Sequence, residues 1–120
     1  MATFATLEKI SLSFPEVTIE PHFEKISFRV KKKIFATYNE KNNKAVVKLS
    51  EADQDAFSSS SLNIYPVDNK WGKQGWTIIE LEKVNQELLS DILKTAYCEV
   101  APKKLVELIG TNEKYKKTTR

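Results

Sequence analysis

Between Lys25 and Leu49 the chain changes character at every second residue, and that period constrains the fold more than any other feature. Ile26, Phe28 and Val30 fall on one side of an extended segment, and Lys25, Ser27, Arg29 and Lys31 on the other. The run from Lys33 to Asn39 is apolar and β-branched enough to be its antiparallel partner. Glu40-Lys41-Asn42-Asn43 marks the next turn, because asparagine tolerates left-handed backbone angles. Beyond it Ala45, Val47 and Leu49 point inward, with Lys44, Val46 and Lys48 outward. The result is an antiparallel meander of two hairpins. Its first turn is awkward: Lys31-Lys32-Lys33 offers no glycine or asparagine for positive φ and crowds three ammonium groups.

Helical patterns flank the meander. Phe4, Leu7 and Ile10 recur at helical spacing from Thr3, which is placed as N-cap, to about Leu12, and Phe14-Pro15 closes the segment. A short extended piece, Val17 to Ile19, is expected to stop at Pro21. Ser50 caps a short helix with Glu51 and Asp53 in its first turn, and Ser58 to Ser61 reads as a polar loop. Leu62 to Tyr65 is an extended lead-in to the stretch described next. From Asn85 the longest helix carries the stripe Leu88, Leu89, Ile92, Leu93, Ala96 and Val100. Pro102 opens a last helix, with Leu105, Val106, Leu108 and Ile109 apolar and Gly110 as its cap.

Tyr65-Pro66-Val67-Asp68-Asn69-Lys70-Trp71-Gly72-Lys73-Gln74-Gly75-Trp76-Thr77 holds both tryptophans and two of the three glycines. It reads as a loop clamping the two halves of the domain, with Gly72 and Gly75 supplying unusual backbone angles and Trp71 and Trp76 burying ring area. From Trp76 to Lys83 the chain alternates again, with apolar residues on both sides at first, as expected of an interior or helix-covered strand.

At 120 residues the chain is expected to form one domain over residues 1–110, followed by a basic, fraying tail over 111–120. No apolar run is long enough to span a membrane, no leader is visible, and one cysteine suits a reducing cytoplasm. The net charge of +3 is unevenly spread. Residues 24–48 carry eight lysines or arginines against two glutamates, whereas carboxylates gather around Glu51 to Asp55 and from Glu80 to Glu99. The domain is polarised, not basic throughout.

Little in the sequence points to catalysis. With one histidine and one cysteine, a zinc site is not expected. His22 reads as a strand-end residue, with a catalytic base or pH switch the lesser reading. Cys98 reads as a small thiol on the late helix, and nothing at local spacing pairs it with His22. Gly72-Lys73-Gln74-Gly75 lacks the Lys-Ser/Thr ending and the strand–loop–helix setting of a phosphate loop. The basic hairpins alone carry a directional signal. Lys25, Arg29, Lys31, Lys32, Lys33, Lys44 and Lys48 sit on an outer face or at turn tips, where they suit a phosphate backbone. A solvated lysine face that deters edge-to-edge pairing is the competing explanation. With Arg29 the one arginine outside the tail, guanine readout by arginine has almost no donor.

Four blocks carry a family resemblance: Ser13 to Val17, Pro21 to Val30, Tyr65 to Thr77 and Ala96 to Leu105. In this order and spacing the chain resembles the MmcQ/YjbR-like family of small bacterial proteins, from about Thr3 to Gly110. The resemblance implies an α+β fold, an antiparallel sheet with two protruding hairpins (a double wing) packed against N- and C-terminal helices. It also implies DNA binding, and a glycine in the first hairpin turn where this chain has Lys32. The expectation is therefore a cytoplasmic, monomeric, non-enzymatic DNA-binding protein without metal or cofactor. Its contact surface would be the lysine hairpins, and Tyr65, Trp71, Gly72, Gly75 and Trp76 its structural signature. Two alternatives stand beside it: a module recognising an acidic protein partner, and a small-ligand binder with a pocket lined by Tyr65, Trp71 and Trp76.

Overall fold

The computed structural model describes residues 2–110. Six strands form one fully antiparallel sheet in the order β1-β2-β3-β4-β6-β5. They are β1 (Val17–His22), β2 (Lys25–Val30), β3 (Lys33–Asn39), β4 (Lys44–Lys48), β5 (Ile64–Pro66) and β6 (Trp76–Glu80). The helices are α1 (Phe4–Leu12), α2 (Glu51–Ser60), α3 (Lys70–Lys73), α4 (Gln86–Val100) and α5 (Lys103–Gly110). This is the α+β architecture the sequence implies. The basic tail over 111–120 lies outside the described residues.

The helix starts fall where the capping residues place them. Thr3 Oγ1 accepts from the Thr6 amide, Ser50 Oγ from Asp53 and Asn85 Oδ1 from Leu88, each satisfying an amide without an intrahelical partner. α4 lies across β3 and β4, and α1 packs beside it. Leu89, Ile92, Leu93, Ala96 and Tyr97 meet Phe28, Phe35, Val47 and Ile79 in one fully buried core. Leu88 and Val100 are half-buried at the edge of the stripe. Tyr97 anchors the far end. Its ring lies 5.0 Å from Phe14 and 5.6 Å from Phe35, and its hydroxyl donates to the Pro15 carbonyl at 2.7 Å.

A bulge tightens the centre of the sheet. Phe28 pairs with Ala36 and Arg29 with Ile34, so Phe35 is an extra residue on β3, which bends the strand. The β2–β3 turn takes the conformation that its residues resist, with Lys31 at φ 51° and Lys32 at φ 70°. Two successive left-handed residues match the right-handed twist of the hairpin, and strand pairing enforces them despite the missing glycine. Lys31 Nζ is held 2.8 Å from Glu16. At the β3–β4 turn the expected asparagines serve. Asn43 has φ 54°, and Asn39 and Asn42 accept from the amides of Lys41 and Lys44.

Four local expectations are corrected. The extended piece does not stop at Pro21: β1 runs to His22 and pairs with β2 throughout. Pro21 is tolerated because β1 is an edge strand, where a missing N–H breaks no ladder. Ser58, Ser59 and Ser60 belong to α2 rather than to a loop, since Phe57 packs on the core and carries the helix onward. The Trp-Gly segment is not irregular throughout, because Lys70–Lys73 form a helical turn capped by Asn69. In α5, Leu105 is buried but Leu108 is exposed, so the expected apolar set is not a single buried face.

Candidate functional site on the open face of the sheet

The face of the sheet turned away from α1 and α4 is shaped by the alternation that built the core. If Ala45 and Val47 are buried, Lys44, Val46 and Lys48 must point outward, and their partners on β6 are Glu80, Ile78 and Trp76. This outer surface is neither flat nor uniformly polar. It forms a groove of about 600 Å³, with Ile34, Val46 and Ile78 as floor and Trp71 and Trp76 along one side. Thr37, Asn39, Asn42, Asn69 and Val67 complete it, with His22, Lys25 and Lys44 as its ionisable residues. The lining contains no carboxylate.

The Trp-Gly segment positions one wall. A Cβ on Gly72 would sit 2.0 Å from the Val67 carbonyl oxygen, and one on Gly75 1.8 Å from that of Leu49, so side chains are sterically excluded. Gly75 also has φ 104°, and its carbonyl accepts from the Leu49 amide. Gln54 of α2 completes the clamp. Its side-chain nitrogen lies 2.9 Å from Gly72 O, 3.1 Å from Thr77 Oγ1 and 3.2 Å from Trp76 O. The two backbone carbonyls only accept, which fixes that atom as the donor nitrogen. No sequence signal separates this buried glutamine from a solvated one on a polar helix.

Gly75 takes the left-handed angle expected of it, whereas Gly72 sits in the α3 turn without a positive φ and is required by the close approach of Val67 instead. The aromatic rings also depart from expectation. Trp71 is 49% exposed and Trp76 half-buried, both facing the groove instead of packing in the interior. The reason is topological: Trp76 shares its face with Ile78 and Lys48, and α3 holds Trp71 beside it. Tyr65 is committed elsewhere. Its hydroxyl donates to Glu80 Oε2 at 2.6 Å, and Lys44 Nζ stands 5.8 Å from the centre of its ring. That hydrogen bond, then Lys83 and Lys44, holds the Glu80 carboxyl below its ordinary value despite some desolvation.

The seven basic residues of the hairpins do not form one cluster. Lys25 and Lys44 line the groove, and Lys48 is paired with Trp76 beside it. Lys31, Lys32 and Lys33 lie at the opposite end of β2, roughly 20 Å along the strand from Lys25 at about 3.3 Å per residue. Arg29 is engaged within the sheet, donating from Nε to Ser27 Oγ at 2.9 Å and lying 3.9 Å from Glu20. The tips of two hairpins meet through Lys41 and Glu24 at 3.1 Å. Between β1 and β2 stands Phe23, 93% exposed at φ 60°, its ring edge-on to His22. The sheet separates His22 from Cys98, which lies on α4. Among the described residues no group of three or more His, Cys, Asp or Glu side chains could hold a metal ion. No described helix is long and apolar enough to cross a membrane.

Fold and site together define a class: a small α+β protein whose one-sided helical cover leaves a concave, aromatic sheet face open. The YjbR family model matches residues 12–99, and the chain belongs to that family. No curated protein matches the sequence. Among solved structures the chain is similar to protein DR2400 of Deinococcus radiodurans, a DUF419 domain. The TM-score is 0.74 at 20% identity, covering 92% of this chain and 89% of that one, a likeness of fold.

Proposed function

We propose that the protein binds DNA on the open face of the sheet, with Lys25 and Lys44 as the principal phosphate contacts. The observation that carries this is the groove lining, in which Lys25 and Lys44 are the lysines and no carboxylate is included, Glu80 standing across from Lys44 at the border. An anionic ligand is the chemistry that such a lining favours, and its affinity would fall as salt rises. Lys48 extends the same face. Lys31, Lys32 and Lys33 form a separate basic tip that adds attraction from outside the groove. Arg29, held by Ser27 and Glu20, contributes least.

Fluorescence anisotropy of labelled DNA between about 50 and 200 mM salt tests this. Lys25→Gln with Lys44→Gln should weaken binding and lower the magnitude of the log–log salt slope by about 1.4 to 1.8. Charge reversal at Lys31, Lys32 and Lys33 should matter less. An absence of binding at low salt, or binding indifferent to Lys25 and Lys44, would overturn the proposal.

A further inference from the structure

We infer that the DNA this groove accepts is single-stranded, with a base stacked on Trp71. This rests on the DNA-binding proposal and narrows its substrate. The outside of a duplex offers phosphates, while its base faces are stacked within. Against a duplex, Lys25 and Lys44 find partners, but the apolar floor and the exposed half of Trp71 find none. A single strand offers both phosphates and free π-faces, the combination that lysine-lined aromatic grooves bind. The size agrees. A groove of about 600 Å³ lies within the range that small molecules occupy, and is thus suited to a nucleotide or two rather than to a double helix.

The placement of the groups supports the same occupant. Trp71 is 49% exposed, and the close Gly72 contact and the Asn69 cap fix the α3 backbone that presents its ring to the groove, with Lys70 Nζ 5.9 Å from the ring centre. A tryptophan side chain has two torsions to fix, so it loses little freedom on stacking. Asn39 and Asn69 also line the groove; their Oδ1 atoms hold the Lys41 and Trp71 amides, so what they offer a strand is their side-chain N–H donors, which suit base or phosphate oxygens alike. With no arginine in the lining, binding should depend little on sequence.

The test titrates the protein with a labelled oligothymidylate and with a mixed-sequence duplex of equal length, at low salt. The single strand should bind roughly ten-fold more tightly and quench tryptophan fluorescence. Trp71→Ala should weaken single-strand binding roughly ten-fold, whereas Trp71→Phe, which keeps a ring, should retain most of it. Circular dichroism and thermal melting confirm that both variants fold. Duplex binding as tight as single-strand binding, or a Trp71→Ala protein that folds and binds the oligothymidylate as wild type does, would overturn the inference and leave the DNA-binding proposal standing. If neither nucleic acid binds at low salt, both fail.

Discussion

Replacing Gln54 probes the physical link between the core and the groove. Its side-chain nitrogen faces three oxygens, two of which already accept backbone bonds, Gly72 O from Gly75 and Trp76 O from Val67. Gln54→Ala therefore orphans no carbonyl completely, but removes two donated hydrogens at about 1 kcal/mol each, plus the packing of a buried side chain. The expected loss is about 2 to 4 kcal/mol, a fall in Tm of roughly 8 to 16 °C at about 4 °C per kcal/mol for a domain of this size. Gln54→Glu keeps the volume and reverses the donor. Its introduced carboxylate would face oxygen on every side, at a cost of about 3 to 5 kcal/mol near neutral pH. Burial among acceptors raises the folded pKa of that carboxyl above its unfolded value of about 4.3. The penalty is therefore absent below about pH 4 and grows as pH rises toward the folded pKa. Urea unfolding across pH separates the two variants: Gln54→Ala should lose a nearly constant amount, and Gln54→Glu an amount that increases with pH. A Gln54→Glu protein as stable as wild type at neutral pH would refute the assigned donor and its role as the clamp.

Two further outcomes follow from the geometry. Lys32→Gly relieves a side chain at φ 70°, worth about 1 to 2 kcal/mol, against about 0.5 to 1 kcal/mol of added chain freedom. A net gain of up to about 1.5 kcal/mol, read as a higher urea midpoint, is expected, and a lower midpoint would contradict the turn. Burial, then Cys98 and Glu16, pushes the Tyr97 phenol up to about 12. Because the folded value exceeds the unfolded value of 10.0, its stabilisation is whole below pH 10.0 and is lost as pH rises toward 12. Ultraviolet titration should show a phenol ionising near pH 12 that is lost in Tyr97→Phe, and that substitution should cost about 1 to 2 kcal/mol by freeing the Pro15 carbonyl.

The sequence by itself determined the elements whose causes are local. Period two set the faces of β2 and β4, Thr3, Ser50 and Asn85 set three helix starts, and Asn43 marked its turn. The Trp-Gly run and its companion blocks identified the family. What stayed hidden depends on neighbours distant in the chain. That β1 continues through Pro21 depends on its being an edge strand, and that Ser58 to Ser60 stay helical depends on where Phe57 packs. Gln54 looks like any polar helix residue until the carbonyls of Gly72 and Trp76 surround it. The seven basic side chains were legible as charge, but sheet order and twist decided that Lys25 and Lys44 share a groove while Lys31, Lys32 and Lys33 stand at the other end of β2. The same is true of the tryptophans. Composition marks them as large aromatics suited to burial, yet register puts Trp76 on the outer face and two glycines that admit no side chain hold Trp71 beside it. Local chemistry chooses the strand or helix; only the closing of the sheet decides which side chains meet in water.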